Sequence, residues 1–579
     1  MNLAPLPFIA PLPLCLFAAF VLSLSPQAIR PTGTATVIGH VVDGVSGQRL
    51  SGVTVSIAGG GLPAAEQTVS DTDGEFVFRA LPAGTFSFGT KRGGYLDGKY
   101  GQRRPSGPSR SLKLADGERR DDVTILIFKP AAITGTVTDE AGEPAVKIEV
   151  RAFVRSFVSG RPVLTPTNGD QTDDRGMYRI GRLPPGDYVI AVPQVTGTPA
   201  SEGTTRPNGI MVRDNGSSAA HLPPLDGKIQ KFPTTYYVAG QNALQATAIS
   251  LGVGDVRRNV DVMVRPVKAF NISGSVTVAR GEPRGVELAL VAVGEDEVGG
   301  DRAIGTAVTG QSGAFSFPAV PAGQYVLRGM VRPTRINASS ETAQWAEQLV
   351  VLNDKDLNDV SLFLRVGMRV SGRFEVDGSS DDSGNWTSGL TVSLDPASSR
   401  YANAPPPAAT FDASGKSFTF DNVLPGRYLL RVGAGSNRAV KSVTYQGRDA
   451  WLTPFTVDAS DINGVVATLT DHPTIIAGTV TGTGDLGESS VLVFPQDPQT
   501  WTDFGTAPIT IRVIDITNSG TFEVRGLPAG DYLLVAFDQD TSIDFQNPAF
   551  LQAAARVATR LRVGDGEKQS ADLKIVTIK

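Results

Sequence analysis

The chain has 579 residues, a formal net charge of −5 and a charged fraction of 19%. This length exceeds that of one ordinary domain and predicts several. Because no long run of Lys or Arg occurs, the basic surface that a nucleic-acid groove needs is missing, and we predict no nucleic-acid partner.

The first element is a predicted secretory signal peptide, residues 1–28. Its apolar core, Leu14–Leu24, is followed by the small and polar residues Ser25–Ala28. The usual Lys or Arg before the core is missing, so a retained N-terminal anchor and a wrongly chosen start codon stay open as alternatives. The only cysteine, Cys15, lies here, which leaves the mature chain without a thiol. Since no later run of 18 apolar residues occurs, we predict no transmembrane span after cleavage and a periplasmic, cell-surface or extracellular location.

A proline- and glycine-containing corner that leads to an aromatic residue recurs five times. Successive corner prolines lie 102, 137, 104 and 103 residues apart, which predicts tandem domains with one insertion. The five corners are Leu81–Phe86, Leu183–Tyr188, Val320–Tyr325, Leu424–Tyr428 and Leu527–Tyr532.

A glycine turn and a short alternating strand precede each corner. In the first repeat, Asp73-Gly74 forms the turn, because Gly tolerates φ > 0, and Phe76-Val77-Phe78 has the period of a half-buried strand. The corner proline lacks an N–H group for sheet pairing, so we expect the chain to cross there to a second sheet. Where the aromatic is Tyr, we expect its hydroxyl to bond backbone left unpaired at the corner.

Each repeat also opens with a β-rich strand and closes with two strands around a turn. Short strands bounded by Gly, Pro, Asp and Asn predict an all-β chain of five tandem immunoglobulin-like, antiparallel β-sandwich domains. Linkers are almost absent, so we expect a semi-rigid string. The segment "NPAFLQAAARVATRLRV" is the nearest to a helix, yet alternation in its second half favours a strand. The predicted repeats 1 to 5 are residues 36–130, 131–267 (with a surface insertion at about 193–235), 268–367, 368–472 and 473–579.

Three motifs of the second repeat resemble the carboxypeptidase regulatory-like domain, a transthyretin-like β-sandwich that is appended to some metallocarboxypeptidases. They are Gly135–Asp139 in the opening strand, Thr172–Tyr178 in the hairpin and Leu183–Tyr188 at the corner. The resemblance covers residues 36–579 and is strongest in repeats 1, 2 and 5, whereas membership of repeats 3 and 4 rests on order and spacing. It implies an accessory module that is not catalytic.

No residue set fits the carboxypeptidase reaction itself. That reaction needs zinc held by a His-x-x-Glu motif and a further His. The residues that follow His40, His221 and His472 do not complete this motif. We therefore predict no enzyme activity, no catalytic residues, no metal and no cofactor.

Two motifs that resemble ligand loops are better explained as turns. Gly482–Gly487 matches G-x-G-x-x-G but precedes a strand, whereas a phosphate loop opens a helix. Asp71–Gly74 resembles the start of a calcium loop but lacks the third acidic residue and the distal Glu.

Trp386 and Trp501 are the candidate ligand-binding residues. Both lie in polar segments, and an exposed aromatic ring beside Asp, Asn and Thr can stack on a sugar while its neighbours bond hydroxyls. The alternative is a tryptophan that folds back onto its own domain.

These patterns predict a secreted, non-enzymatic, multi-domain binding or scaffold protein in rod form at the cell surface or in the periplasm. Its expected partner is a surface polysaccharide or a cell-envelope protein, and we expect a monomer. The alternative function is a carbohydrate-binding accessory protein for polysaccharide recognition. An enzyme with a site between repeats is a third hypothesis, which the coverage by repeats disfavours.

Overall fold

A computed structural model describes residues 33–196, 211–214, 217–218, 231–238, 246–293, 303–331, 342–377, 389–397, 408–433, 438–458, 460–482, 489–538 and 544–578. The predicted signal peptide and Trp386 lie outside these residues. The chain divides into two compact units. The first unit comprises the described residues up to Arg92 with Asp97–Gly101 and Ser109–Leu126, and the second comprises Gly93–Leu96, Gln102–Pro108 and the described residues from Ile127 onward.

The first unit contains two sheets that correspond to repeat 1. One sheet has the strand order β4-β1-β8, and the other has the order β3-β2-β5-β6, with β7 also paired to β5. Along β1, residues alternate between buried and half-buried, as a strand with one face in the core must. The strands are β1 Ala35–Asp43, β2 Thr54–Gly59, β3 Glu66–Val69, β4 Glu75–Leu81, β5 Gly84–Lys91, β6 Gly98–Lys99, β7 Ser111–Leu114 and β8 Arg119–Ile127.

Repeat 2 begins the second unit and contains three sheets. Their orders are β12-β9-β20, with β21 also paired to β9; β11-β10-β13-β18, with β19 also paired to β13; and β16-β14-β17. The strands are β9 Ala131–Thr138, β10 Glu149–Val158, β11 Arg161–Gln171, β12 Met177–Leu183, β13 Gly186–Val192, β14 Val195–Thr196, β15 Met211–Asp214, β16 Ser217–Ser218, β17 Lys231–Phe232, β18 Thr235–Tyr236, β19 Ile249–Leu251, β20 Val256–Arg257 and β21 Val262–Met263.

Repeat 3 forms one continuous sheet with the order β15-β24-β23-β26-β27-β28-β22-β25. Its first strand, β15, comes from the insertion of repeat 2 and pairs antiparallel with β24. The described parts of this insertion therefore include paired strands, where the sequence predicted only a surface excursion. The strands of repeat 3 are β22 Ala269–Val278, β23 Glu287–Ala292, β24 Ala303–Val308, β25 Ala314–Pro321, β26 Gly323–Val331, β27 Gln344–Leu352 and β28 Leu357–Val366.

Repeat 4 again has two sheets, with the orders β31-β32-β29-β37-β34-β35 and β30-β33-β36. Its strands are β29 Met368–Asp377, β30 Thr391–Pro396, β31 Ala409–Phe411, β32 Ser417–Val423, β33 Gly426–Gly433, β34 Ala439–Tyr445, β35 Arg448–Asp449, β36 Phe455–Val457 and β37 Ile462–Thr470.

Repeat 5 has sheets β41-β38-β44 and β40-β39-β42-β43, together with two short helices. A helix occupies the first half of the segment that was the nearest candidate for one, because Asn547 caps it, Pro548 stands in its first turn and alanines follow. The strand expected in the second half of that segment is present as β43. The elements are β38 Ile475–Thr481, β39 Ser489–Pro495, a 3-10 helix Pro498–Trp501, β40 Arg512–Asp515, β41 Thr521–Arg525, β42 Gly530–Asp538, α1 Pro548–Ala555, β43 Thr559–Val563 and β44 Lys568–Lys574.

Most strand pairs are antiparallel, as predicted, but the opening strand of a repeat pairs in parallel with a closing strand. A closing strand reaches the opening strand after a crossing between sheets, so no hairpin fixes its direction. The parallel pairs of opening and closing strands are β9 with β20 and with β21, β22 with β28, β29 with β37, and β38 with β44.

A glycine in each opening strand is required for this close pairing. A Cβ atom at Gly135 would lie 1.9 Å from the carbonyl oxygen of Val260 and 3.1 Å from the ring of Tyr178. The same position recurs in all five repeats, where a Cβ atom would lie between 1.8 and 2.4 Å from a backbone oxygen of the closing segment. The glycines and the residues that carry these oxygens are Gly39 with Val123, Gly135 with Val260, Gly274 with Val360, Gly372 with Val465, and Gly478 with Ala571.

The hydrophobic cores of the second unit are separate clusters. The buried members of each cluster lie within the range of one predicted repeat, between residues 131 and 264, 272 and 364, 368 and 469, and 476 and 573. The exact domain boundaries stay a prediction.

Candidate functional site

The recurring corner is a structural motif in which the tyrosine hydroxyl binds the backbone of the corner. In each repeat that has a corner tyrosine, its hydroxyl donates a hydrogen bond to the carbonyl oxygen four residues earlier, at 2.7 to 3.0 Å, as predicted. Burial raises the pKa of Tyr325 and of Tyr428 to about 12. The donor and acceptor pairs are Tyr188 with Pro184, Tyr325 with Pro321, Tyr428 with Leu424, and Tyr532 with Pro528.

Each corner is also preceded by a residue in the left-handed region, with φ between 53° and 72°. Only repeat 5 uses glycine, which adopts this conformation without strain. In repeat 4 the corner proline, Pro425, stands one position closer to the tyrosine than in the other repeats. The acceptor of the tyrosine hydrogen bond is therefore Leu424. These residues are Ala80, Arg182, Ala319, Asn422 and Gly526.

Trp501 is buried and not exposed. Its relative exposure is 4%, its indole N–H donates to the carbonyl oxygen of Pro495 at 2.9 Å, and its ring packs against Phe494. This is the alternative in which the tryptophan folds back onto its own domain. The exposed ring on which a sugar was expected to stack is therefore absent at Trp501, and the role of Trp386 stays a prediction.

Trp501 belongs to a second core layer in repeat 5. The segment 496–511, which we call the junction loop, and helix α1 cover the outer face of the sheet that contains β39 and β42. Leu533, Val535 and Phe537 of β42 face this layer, whereas Leu534 faces the sandwich core. Burial on both faces accounts for the continuous apolar run after the corner of repeat 5.

The junction loop also contacts repeat 2. The turn between β10 and β11 contains Ser159 and Gly160, both with positive φ. The carbonyl oxygen of Ser159 accepts from the N–H of Asp503 at 2.9 Å, and its hydroxyl oxygen accepts from the N–H of Gly505 at 2.9 Å. A Cβ atom at Gly160 would lie 2.2 Å from the carbonyl oxygen of Trp501, so only glycine fits this turn.

One carboxylate, that of Asp503, connects three repeats. Arg161 of repeat 2 donates to it through Nε at 2.5 Å and through Nη2 at 2.9 Å, and Arg427 of repeat 4 donates through Nη1 at 3.0 Å. The side chain of Asp503 is 16% exposed. The hydrogen bond from Arg161, with a further one from Arg427, lowers the pKa of Asp503 below its ordinary value, although burial opposes this.

A second polar cluster fixes the junction loop to repeat 4. Arg431 donates to Asp395 at 3.1 Å, and it also donates to the carbonyl oxygen of Phe504. Asp395 accepts from the N–H and the hydroxyl of Thr506 at 2.8 to 3.1 Å. Burial lowers the pKa of Arg431, and the adjacent Asp395 counteracts this shift. Repeat 5 thus contacts repeats 2 and 4, which corrects the expectation of an open string or rod, in which each repeat meets only its neighbours.

Beside this cluster, a cleft of about 400 Å³ lies between repeats 4 and 5. Its apolar lining includes Trp451, Pro495 and Tyr532, and its acidic lining consists of Asp497 and Asp531. A volume of this size is within the range of small-molecule sites. No sequence pattern indicates the cleft, because its lining comes from two repeats.

The two turn motifs and the histidines have simple placements. The carboxylate of Asp71 accepts from the N–H groups of Asp73 and Glu75, so it caps its own turn. His40 lies 3.8 Å from Glu75, and His472 lies 2.6 Å from its neighbour Asp471. His221 and most of Gly482–Gly487 lie outside the described residues. Within the described ranges, no three His, Cys, Asp or Glu side chains come close enough together to hold a metal ion.

The strands, cores and corners define a chain of several β-sandwich domains. Residues 36–121 match the family model of the carboxypeptidase regulatory-like domain, which confirms the resemblance in repeat 1. Residues 267–357 match the model of the second β-sandwich domain of the NOMO1-like subunit of the BOS complex. The second match falls on repeat 3, one of the two repeats that the motifs alone supported weakly. A search of the curated proteins finds no match.

Several solved structures are similar at low identity. The TIE protein of Bacillus anthracis is 13% identical with a TM-score of 0.16, over 57% of this chain and 51% of that one, so this chain spans about half of its length. The minor pilin GBS52 of Streptococcus agalactiae is 11% identical with a TM-score of 0.21, over 41% and 97%. The shaft pilin SpaA of Lactobacillus rhamnosus GG is 12% identical with a TM-score of 0.20, over 41% and 98%.

Among the helices of the described residues, none is both long and apolar enough to cross a membrane.

Proposed function

We propose that the chain is an exported, non-enzymatic binding or scaffold protein of the cell surface or periplasm. The observation that carries this proposal is the junction loop, which ties repeat 5 to repeats 2 and 4 through Asp503 and Asp395. A scaffold must hold its domains in a fixed relation, and charge-assisted hydrogen bonds between domains supply such a relation. Export is supported by the composition of residues 1–28.

The proposed partners are a surface polysaccharide or a cell-envelope protein, and the proposed state is a monomer. Several domains in one chain can present several weak contacts at once, and linked contacts raise the overall affinity. The matched family descriptions, a regulatory-like domain and a β-sandwich domain, agree with a role that is not catalytic.

Cell fractionation followed by pulldown tests this proposal. We expect the full chain in the periplasm or on the surface, and a variant without residues 2–28 inside the cell. Purified chain 29–579 should recover an envelope protein or polysaccharide from the same cells. A full chain that stays in the cytosol, or that recovers no partner from the envelope, contradicts the proposal.

The carbohydrate-binding alternative loses one of its two residues, since the ring of Trp501 is buried. A sugar role therefore rests on Trp386 or on a different site.

A further inference from the structure

The outer face of strand β27 in repeat 3 exposes apolar side chains. Alternate residues of a strand share one face, and Val350 and Leu352 belong to the core, so Leu349 and Val351 face away from it. Leu349 is 60% exposed and Val351 is 47% exposed. We propose that this face binds an apolar helix of a partner protein. The inference rests on the proposed binding role and names a surface and a partner chemistry for it.

The strand register allows a direct comparison of this face between the five repeats. In each repeat, the residue after the corner glycine pairs with a residue of the first closing strand, and that partner is polar or charged in every repeat except repeat 3. An exposed apolar residue at a position where the same fold accepts polar ones indicates a binding surface. The partners in repeats 1 to 5 are Lys113, Ser250, Val351, Thr456 and Arg562.

Leu349 differs from its counterparts in the same way. It pairs with Val326, the third residue after the corner glycine of repeat 3. The corresponding partners in repeats 1 and 5 are Ser111 and Arg560. Two exposed positions of one closing strand are therefore apolar only in repeat 3.

The neighbouring strand indicates that the cover is protein. Val326 of β26 is half-buried beside the exposed Leu349. Its counterparts in repeats 2, 4 and 5, which are Val189, Leu429 and Leu533, are 0 to 3% exposed. In repeat 5 the cover consists of the junction loop and helix α1. A helix of another protein can cover the face in repeat 3 as α1 does in repeat 5.

The charge and the position of the face also fit an apolar protein partner. On the outer face of β26 and β27, the charged residues Arg328 and Glu347 pair with each other at 3.0 Å, so the face attracts neither anions nor cations. Trp345, on the same face of β27, already packs against the core of repeat 4. The apolar patch therefore continues an existing contact between domains.

Photo-cross-linking in the cells that produce the protein tests the inference. The photoreactive residue p-benzoylphenylalanine replaces Leu349 in one variant. In a control variant it replaces Arg560, at the matching position of repeat 5. Mass spectrometry of the adduct identifies the cross-linked peptide.

Two further substitutions are each added to the variant that is labelled at position 349. Val351→Lys places a charge in the proposed contact, and repeat 1 already has Lys113 at the matching position, so the fold accepts it. Phe363→Lys is the matched control, because Phe363 is 52% exposed but lies on β28 beside Thr277 of β22. Thermal unfolding of each variant establishes that it is folded.

We expect an adduct at position 349 with a peptide of another protein that has apolar residues at helical spacing, and no adduct at position 560. Val351→Lys should lower the yield by about tenfold, because a lysine in an apolar contact must be desolvated, and Phe363→Lys should leave it unchanged.

Several results would overturn the inference: no adduct at position 349, equal adducts at positions 349 and 560, an adduct with a polar peptide, a glycan, a lipid or a second copy of the chain, or equal losses from the two lysine substitutions. If the pulldown still recovers an envelope partner, such a result overturns this surface alone. A specific adduct formed by a chain that stays in the cytosol would instead overturn the proposed location.

Discussion

Gly135 shows how a single residue fixes the pairing of opening and closing strands. A methyl group there would meet the carbonyl oxygen of Val260 at 1.9 Å, and backbone cannot move aside as a flexible side chain can. Gly181, in the neighbouring strand β12, has no atom within 4 Å of the corresponding position.

We therefore expect Gly135→Ala to lower the free energy of unfolding by about 3 kcal/mol, because overpacking against backbone forces the strands apart. Gly181→Ala is the control, and it should change stability by less than about 1 kcal/mol, in the stabilising direction. Urea denaturation of both variants measures the difference. Equal effects of the two substitutions would show that the close contact at Gly135 does not exist.

The corner tyrosines make a prediction about alkaline pH. The pKa of Tyr325 is raised to about 12 by burial, so the folded state holds the hydroxyl proton more tightly than the unfolded state, whose pKa is near 10. The stabilisation is complete below pH 10 and is lost as the pH rises through about 12. Tyr325→Phe, which cannot titrate, should cost about 1 kcal/mol at pH 8 through the lost bond to Pro321.

The measurement is the difference in unfolding free energy between the parent and Tyr325→Phe at pH 8 and pH 11. The difference should narrow at pH 11, since only the parent loses the contribution of the tyrosine. A difference that stays constant across this range would refute the buried corner bond.

At the scale of elements, sequence patterns predict the turns, corners and strands that depend on residues close together in the chain. Turn glycines, corner prolines and alternating aromatics act on their own strands, so β4, β12, β25, β32 and β41 and their corners are found where the spacing placed them. The parallel partner of the opening strand was missed, because neither of two distant paired strands has a sequence pattern that identifies its partner. The left-handed residue was also missed, since Arg182 gives no sign of its φ of 59°.

Trp501 shows why the candidate site was harder to predict than the fold. Polar neighbours such as Asp497 and Asp503 suggested an exposed loop, yet these side chains cap the turn and bind other repeats while the indole turns inward. Local polarity is a poor guide to burial when the loop itself covers a sheet. The partner of Asp503 is Arg161, 342 residues away, and no short motif connects them.

Since Trp501 is a core residue, Trp501→Ala should destabilise repeat 5 by about 3 to 5 kcal/mol. Val513→Ala, at a position in β40 that is 40% exposed, should cost less than about 1 kcal/mol. Thermal unfolding of the two variants gives the comparison. A Trp501→Ala variant as stable as the parent would mean that the second core layer is not formed, and any loss of ligand by that variant must be judged against its stability.

At the scale of the whole second unit, the Asp503 carboxylate supplies the ion pair between repeats 2 and 5, beside the hydrogen bonds that Ser159 makes there. Asp503→Asn leaves Arg161 and Arg427 without their shared carboxylate, and Arg161→Met removes the partner from repeat 2. Because both changes break one interaction, the double variant should be little worse than either single variant. Additive effects would indicate that the ion pair does not couple the repeats.

The contact between repeats 2 and 5 should weaken as the pH falls. The pKa of Asp503 is lowered, chiefly by the hydrogen bond from Arg161, so its contribution is present above the ordinary carboxyl pKa and is lost as the pH falls through the lowered value. The contact should persist at pH 5 and weaken in strongly acidic solution.

The most direct test of a scaffold with fixed domains is the distance between labels on repeats 2 and 5. The chain has no cysteine after Cys15, so Asp174→Cys and Asn518→Cys, on two exposed hairpin turns, label the mature protein cleanly. We expect one narrow distance distribution from pulsed spin-label measurements at pH 7, and a broad one when Asp503→Asn is added. A broad distribution in the parent, unchanged by Asp503→Asn, would contradict the claim that the junction loop holds these repeats together.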